Sequence, residues 1–223
     1  MAVCALSVFL AHVQEGTLDD GSGDLKGIAA GLKNYFTYLP ITVAICGFLL
    51  TSSGGNMIMN NVSLFARETT GEHPEKFIGL QLALRFGCKS LSGFLLGWML
   101  ARFHAKLPAL MTTIFCMAGV LWALFAPGEA YLFSFGLLGA GELYYVYYLN
   151  YIVGCSRPER IRQNTAYTNF ILIAVSFMPL IYGWISDHFG LRVSFYLAIV
   201  LLSIAFVIVG IALPRKPVPA AAR

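Results

Sequence analysis

Six long apolar runs decide what this chain can become. They cover about 41–62, 77–100, 107–126, 130–154, 164–186 and 191–213. Each is long enough to cross roughly 30 Å of hydrocarbon at about 1.5 Å per residue. The connections between them are short and hold most of the charge. Lipid offers no partner to an open sheet edge, so such runs are read as helices. The alternating segments of a transmembrane barrel are not visible. The predicted fold class is therefore an all-α membrane protein with six transmembrane helices, numbered here as spans one to six. Composition agrees: 58% of residues are apolar and 12% charged, against roughly 25% charged in an average soluble domain. That excludes an ordinary soluble enzyme and a disordered chain. The formal charge of +4 is too small to point to nucleic acid as a partner.

Residues 1–11 are apolar but too short to span, and read as the end of a preceding helix. A secretory signal peptide fits less well, because no positive region precedes the apolar stretch. Residues 12–38 form a polar linker. Within it Leu25, Ile28, Leu32, Phe36 and Leu39 recur at helical spacing beside Lys26 and Lys33. That suits either a helix on the membrane surface or an amphipathic lead-in to span one. Residues 39–214 make the transmembrane domain and 215–223 a tail. Lys26, Lys33, Arg102, Lys106, Arg157, Arg160, Arg162, Arg215, Lys216 and Arg223 fall on one side of the membrane. Only Arg67, Lys76 and Arg192 fall on the other. The positive-inside rule then predicts both termini in the cytoplasm, with the chain in a plasma (inner) membrane.

Charges inside a membrane helix cost several kcal/mol and mark functional candidates. Span two carries Arg85 and Lys89, four residues apart and so on one face. Span four carries Glu142. Counting from the helix ends puts Arg85 about 12 Å, Lys89 about 18 Å and Glu142 about 16 Å deep. The three are expected to meet at one level, with Glu142 pairing one cation and the other left for an anionic solute. A purely structural ion pair between spans two and four fits the same residues. Glu142 is also the expected carrier of a coupling proton, since burial raises a carboxyl pKa. Gly93, Gly97 and Ala101 continue the face of Arg85 and Lys89 and predict close packing of span two on another helix.

Span one holds Thr51-Ser52-Ser53-Gly54-Gly55-Asn56 at mid-membrane. Adjacent glycines weaken a helix, and broken helices mark binding sites and gates in transporters. A close-packed kink is the alternative. Asn56 joins the residues expected to bind solute. Span four reads Gly136, Gly139, Gly141 and then Glu142, followed by Tyr144, Tyr145, Tyr147, Tyr148 and Tyr151. So many tyrosines cannot all face lipid, and Tyr145 and Tyr148 are expected to line a cavity. Tyr148 and Tyr151 also fit an interfacial aromatic belt. Pro179 is expected to bend span five.

No catalytic residue, metal site or cofactor is predicted. Nucleophile elbows, phosphate loops, HExxH and CxxC motifs are missing from the sequence. Cys4, Cys46, Cys88, Cys116 and Cys155 are scattered and read as small core residues. His12, His73, His104 and His188 lack ligand spacing.

The stretch from Pro179 through Gly183, Asp187, Gly190 and Arg192 to Phe195 resembles the proline–glycine helix and Gly-x-x-x-Asp-x-x-Gly-x-Arg turn of the major facilitator superfamily. Gly97 to Lys106 is similar to that family's loop between the second and third helices of a half. Arg102 and Lys106 fit, while Ala101 stands for the usual Asp and His104 for the usual Gly. The resemblance covers about residues 25–214 and matches the C-terminal six-helix half of a twelve-helix fold. It implies a rocker-switch transporter in which spans one and four line the cavity, two and five flank it, and three and six face lipid. Gly54, Gly55, Gly139, Gly141, Pro179, Gly183, Asp187, Arg192 and Arg102 are then the gating or conformational candidates. Residues 1–11 would resemble the end of a sixth helix and 12–38 the central loop. The partners implied are the lipid bilayer, a small-molecule solute, a coupling proton or cation, and a missing N-terminal half or a second copy. The expected function is secondary transport of a small polar or anionic solute by alternating access. The rival is a non-transporting membrane subunit that binds a partner protein.

Overall fold

The computed structural model describes residues 25–56, 58–70 and 77–219. The readings of 1–11, of 12–24, of Lys76 and of Arg223 lie outside them. The chain divides into two compact units, Met1–Asn34 and Tyr35–Arg223, and every contact below lies within the second. Among the described residues all regular structure is helical.

Helix α1 runs Leu25–Thr37. Span one is α2 (Leu39–Thr51), a π-helical turn (Ser52–Asn56) and α3 (Met59–Thr70). Span two is α4 (Ile78–Arg102), and span three is α5 (Lys106–Phe125). Span four enters through a 3-10 turn (Gly128–Leu132) and splits into α6 (Phe133–Gly141) and α7 (Tyr144–Cys155). Span five is α8 (Ile161–Leu172), a 3-10 turn (Ile173–Phe177) and α9 (Met178–Phe189). Span six is α10 (Leu191–Ala212).

Among the described residues, four stretches are long and apolar enough to cross a membrane by length and composition alone: Leu39–Glu68, Lys106–Phe125, Pro158–Phe189 and Leu191–Ala212. Spans two and four have identifiable reasons for falling outside that set. Helix α4 has the length but carries Gln81, Arg85 and Lys89, and span four is interrupted after Gly141.

Hydrogen bonds confirm that the spans alternate in direction. At one end Tyr38 bonds Val218, Lys106 bonds Arg215 and Tyr151 bonds Pro214. That gathers the start of spans one and three with the end of spans four and six. At the other end the Tyr131 hydroxyl donates to the Val62 carbonyl. Asn61 donates to Ser186 and Ser194, both at 2.8 Å. That joins the end of spans one and five to the start of four and six. An up-and-down bundle produces this grouping and no other.

Spans one, three, four and six pack around a shared core. Ile45, Phe48, Val120, Leu138, Tyr148 and Leu202 are almost fully buried within it. Helices α4, α8 and α9 instead show broad apolar surfaces, including Phe86, Phe94, Trp98, Phe170, Leu180 and Trp184. In water such patches would be a liability; in a bilayer they are the expected exterior.

Candidate functional site

Glu142 sits where span four breaks, between α6 and α7. Its Oε1 meets Arg85 Nη2, and its Oε2 accepts from Lys89 Nζ at 3.0 Å. Both cations therefore share one carboxylate, one on each oxygen. The expectation that one would be left over is corrected: no cation stands apart, but the trio still carries a net positive charge. The Glu142 side chain is 10% exposed. Arg85 Nε is buried and has no hydrogen-bond partner among the described residues.

Backbone packing brings the trio together. A Cβ built on Gly139 would collide with the Arg85 carbonyl oxygen and lie 2.8 Å from its Cα. Only glycine lets α6 approach α4 this closely, and Glu142 follows three residues later. Gly136 performs the same service against Cys88, where a Cβ would lie 2.8 Å from the sulfur. Span two's own small residues do not share this role. A Cβ on Gly97 would meet nothing, one on Gly93 would only touch Leu143 at 3.9 Å, and Ala101 is exposed. The predicted close packing along that stripe is corrected. Spacing permits close approach, but no described helix lies there to approach.

The polar stretch of span one forms a π-helical turn, whose wider ladder leaves backbone groups to be satisfied by side chains. Tyr182 of α9 donates to the Ser53 carbonyl at 3.0 Å. Ser52 bonds the Tyr144 hydroxyl at 2.9 Å, and Thr51 bonds Thr113 at 3.0 Å. Gly54 admits span six: a Cβ there would fall 2.7 Å from Leu202 and 2.9 Å from the Ala198 carbonyl oxygen. Asn56 is half-buried at the end of the turn.

Cys116 of α5 was read as a core residue, and its position says more. It is 1% exposed and wedged between Gly55 and Gly141. The two broken spans thus meet on one sulfur, which spacing along the chain could not reveal.

The tyrosines separate. Tyr145 is half-exposed, and its hydroxyl lies 3.4 Å from Asn169 Oδ1 of span five. Tyr148 is fully buried, stacked on Phe48 and bonded to Thr113 at 3.2 Å. Tyr151 is buried as well. The expectation that Tyr148 lines a cavity, and the interfacial-belt reading of Tyr148 and Tyr151, are corrected, because both rings are sealed in the core and their hydroxyls have found protein partners.

Among the remaining candidates, Pro179 stands in the first turn of α9, where its missing donor costs nothing. The 3-10 turn that interrupts span five, Ile173–Phe177, lies just before it. Gly183 is open on its Cβ side. Asp187, Arg192 and Arg102 are exposed, and the Arg192 guanidinium carbon lies 5.6 Å from the centre of the Phe65 ring. A concavity of about 500 Å³ opens between α3 and α4, lined by Asn60, Ser63, Leu64, Ile78 and Gln81. Gln81 lies one turn before Arg85, so the concavity shares the face that carries the two cations.

The family model described as Major Facilitator Superfamily matches residues 42–223. None of the curated proteins matches the chain.

Proposed function

The chain belongs to the major facilitator superfamily, and from that premise we propose that it moves a small polar or anionic solute across the membrane by alternating access. The family is one of secondary transporters, and the apolar helices make the protein a multi-pass membrane protein. No enzymatic chemistry belongs to the family. The observation that carries the finer reading is the sharing of Glu142 by Arg85 and Lys89 at the break in span four.

A net positive charge in the bilayer interior is costly unless something offsets it. An anionic solute would offset it by competing with Glu142 for the cations, and Arg85 Nε offers a free donor. The concavity that includes Gln81 is the route in from one side. Tyr145 and Asn169 supply a ring and an amide for polar contact, and Asn56 is an amide on the broken first span. Glu142 is also where a coupling proton or cation would be held. The breaks in spans one and four are the hinges, with Gly54, Gly55, Gly139 and Gly141 permitting their close packing. A missing N-terminal half, or a second copy, would form the other wall. The distribution of basic residues supports both termini in the cytoplasm, and the membrane proposed is a plasma (inner) membrane. The rival role, a partner-binding subunit, draws no support from the family match.

Uptake into vesicles tests this reading, using labelled monocarboxylates, dicarboxylates and inorganic phosphate as probes. Arg85→Ala and Glu142→Gln should each reduce uptake of the accepted anion by about tenfold or more. Unchanged uptake in both variants would remove the proposed site.

A further inference from the structure

Residues Leu213–Val218 follow span six and do not lead away from the bundle. Leu213 is 2% exposed. The Pro214 carbonyl accepts from the Tyr151 hydroxyl at 2.9 Å, and the Val218 carbonyl accepts from the Tyr38 hydroxyl at 2.6 Å. The Arg215 carbonyl accepts from the Lys106 backbone N–H at 3.4 Å. Pro217 lies against Gly154, where a Cβ would come within 2.9 Å of its ring. Beneath the segment Cys155 is fully buried.

The sequence Pro214-Arg215-Lys216-Pro217-Val218-Pro219 explains the geometry. Each proline fixes φ and removes an N–H. The segment is therefore stiff, bends at Leu213, Arg215 and Lys216, and is rich in carbonyl acceptors with few donors. Hydroxyl and N–H donors from spans one, three and four meet those acceptors. The side chains of Arg215 and Lys216 are exposed and take no part.

The spans tied at this end include the two that are broken in mid-course. Span one carries the π-helical turn, and span four the interruption at Glu142. Helices that bend in the middle must move at their ends. We propose that Leu213–Val218 is a releasable strap that clamps the ends of spans one, three and four together, and that its detachment uncovers Cys155 and frees spans one and four to separate. The contacts suit release: three hydrogen bonds and one proline ring hold it, and Leu213 is its one buried apolar side chain.

Alkylation by N-ethylmaleimide, followed peptide by peptide in the full chain in lipid vesicles, tests the strap. The reagent must reach the sulfur, so Cys155 reports release and Cys116 reports loosening of the whole bundle. In the unaltered chain both should react slowly. The double variant Tyr38→Phe, Tyr151→Phe removes two of the ties and should speed Cys155 labelling roughly thirtyfold. Gly154→Ala keeps both hydroxyls but pushes on Pro217, and should also speed it. Cys116 should stay slow throughout. Equal Cys155 rates in all chains, rapid Cys155 labelling without substitution, or Cys116 rising in step would overturn the proposal. The readout uses no solute, so its failure leaves the transport reading standing.

Discussion

Gly139→Val should destabilise the protein by about 2–3 kcal/mol, the range expected for forcing bulk into a packed interface. The added Cβ would run into the Arg85 carbonyl. Because that contact is backbone against backbone, no side chain can turn aside to relieve it. Helices α4 and α6 must separate, and the Arg85–Glu142 contact loosens with them. Gly97 provides the internal control, since it lies on the same α4 helix with nothing near its Cβ position. Gly97→Ala should leave stability unchanged or raise it by up to about 1 kcal/mol through helix propensity. Thermal unfolding in detergent or nanodiscs reads both. Equal effects at the two positions would show that α6 does not approach α4 as described.

Glu142→Leu should be the most costly of the charge substitutions. It removes the one carboxylate that offsets Arg85 and Lys89, and leaves two like charges a helical turn apart. Breaking a buried ion pair from one side costs roughly 3–5 kcal/mol. Arg85 and Lys89 are 29% and 36% exposed, so screening lowers the expected loss to about 2 kcal/mol. Arg85→Leu should cost less, about 1 kcal/mol, because Lys89 continues to pair the carboxylate. A Glu142→Leu variant no less stable than Arg85→Leu would contradict this order.

The architecture was legible because the bilayer imposes a length and a polarity on every span. The irregularity of span one was legible for a related reason: adjacent glycines, hydroxyls and an amide in the middle of an apolar run predict either a broken helix or a close-packed kink. The interruption of span four at Glu142 was not legible in this way. The meeting of Arg85, Lys89 and Glu142 followed from depth alone, since charges at one level in lipid must find each other.

What the sequence hid was everything that depends on which faces meet. Gly97 and Gly139 look alike in a string of letters. One faces open space and the other faces the Arg85 backbone. Tyr145 and Tyr148 are three residues apart, yet one lies beside Asn169 and the other is sealed against Phe48 and Thr113. Cys116 carried no spacing signal, because its partners Gly55 and Gly141 are distant in the chain. The strap escaped notice because a proline-rich segment has no periodicity. Its hydrogen bonds are made by carbonyls, which carry no residue-type signal.

A double-mutant cycle on unfolding stability tests the heart of the account most directly, using Arg85→Leu, Glu142→Leu and the two combined. Residues in contact couple by about 0.5–3 kcal/mol, whereas distant ones add. The predicted result is a coupling of about 1 kcal/mol or more, with the double variant more stable than the sum of the single losses implies. Strict additivity would mean that the arginine of span two and the acid of span four do not meet in the folded protein.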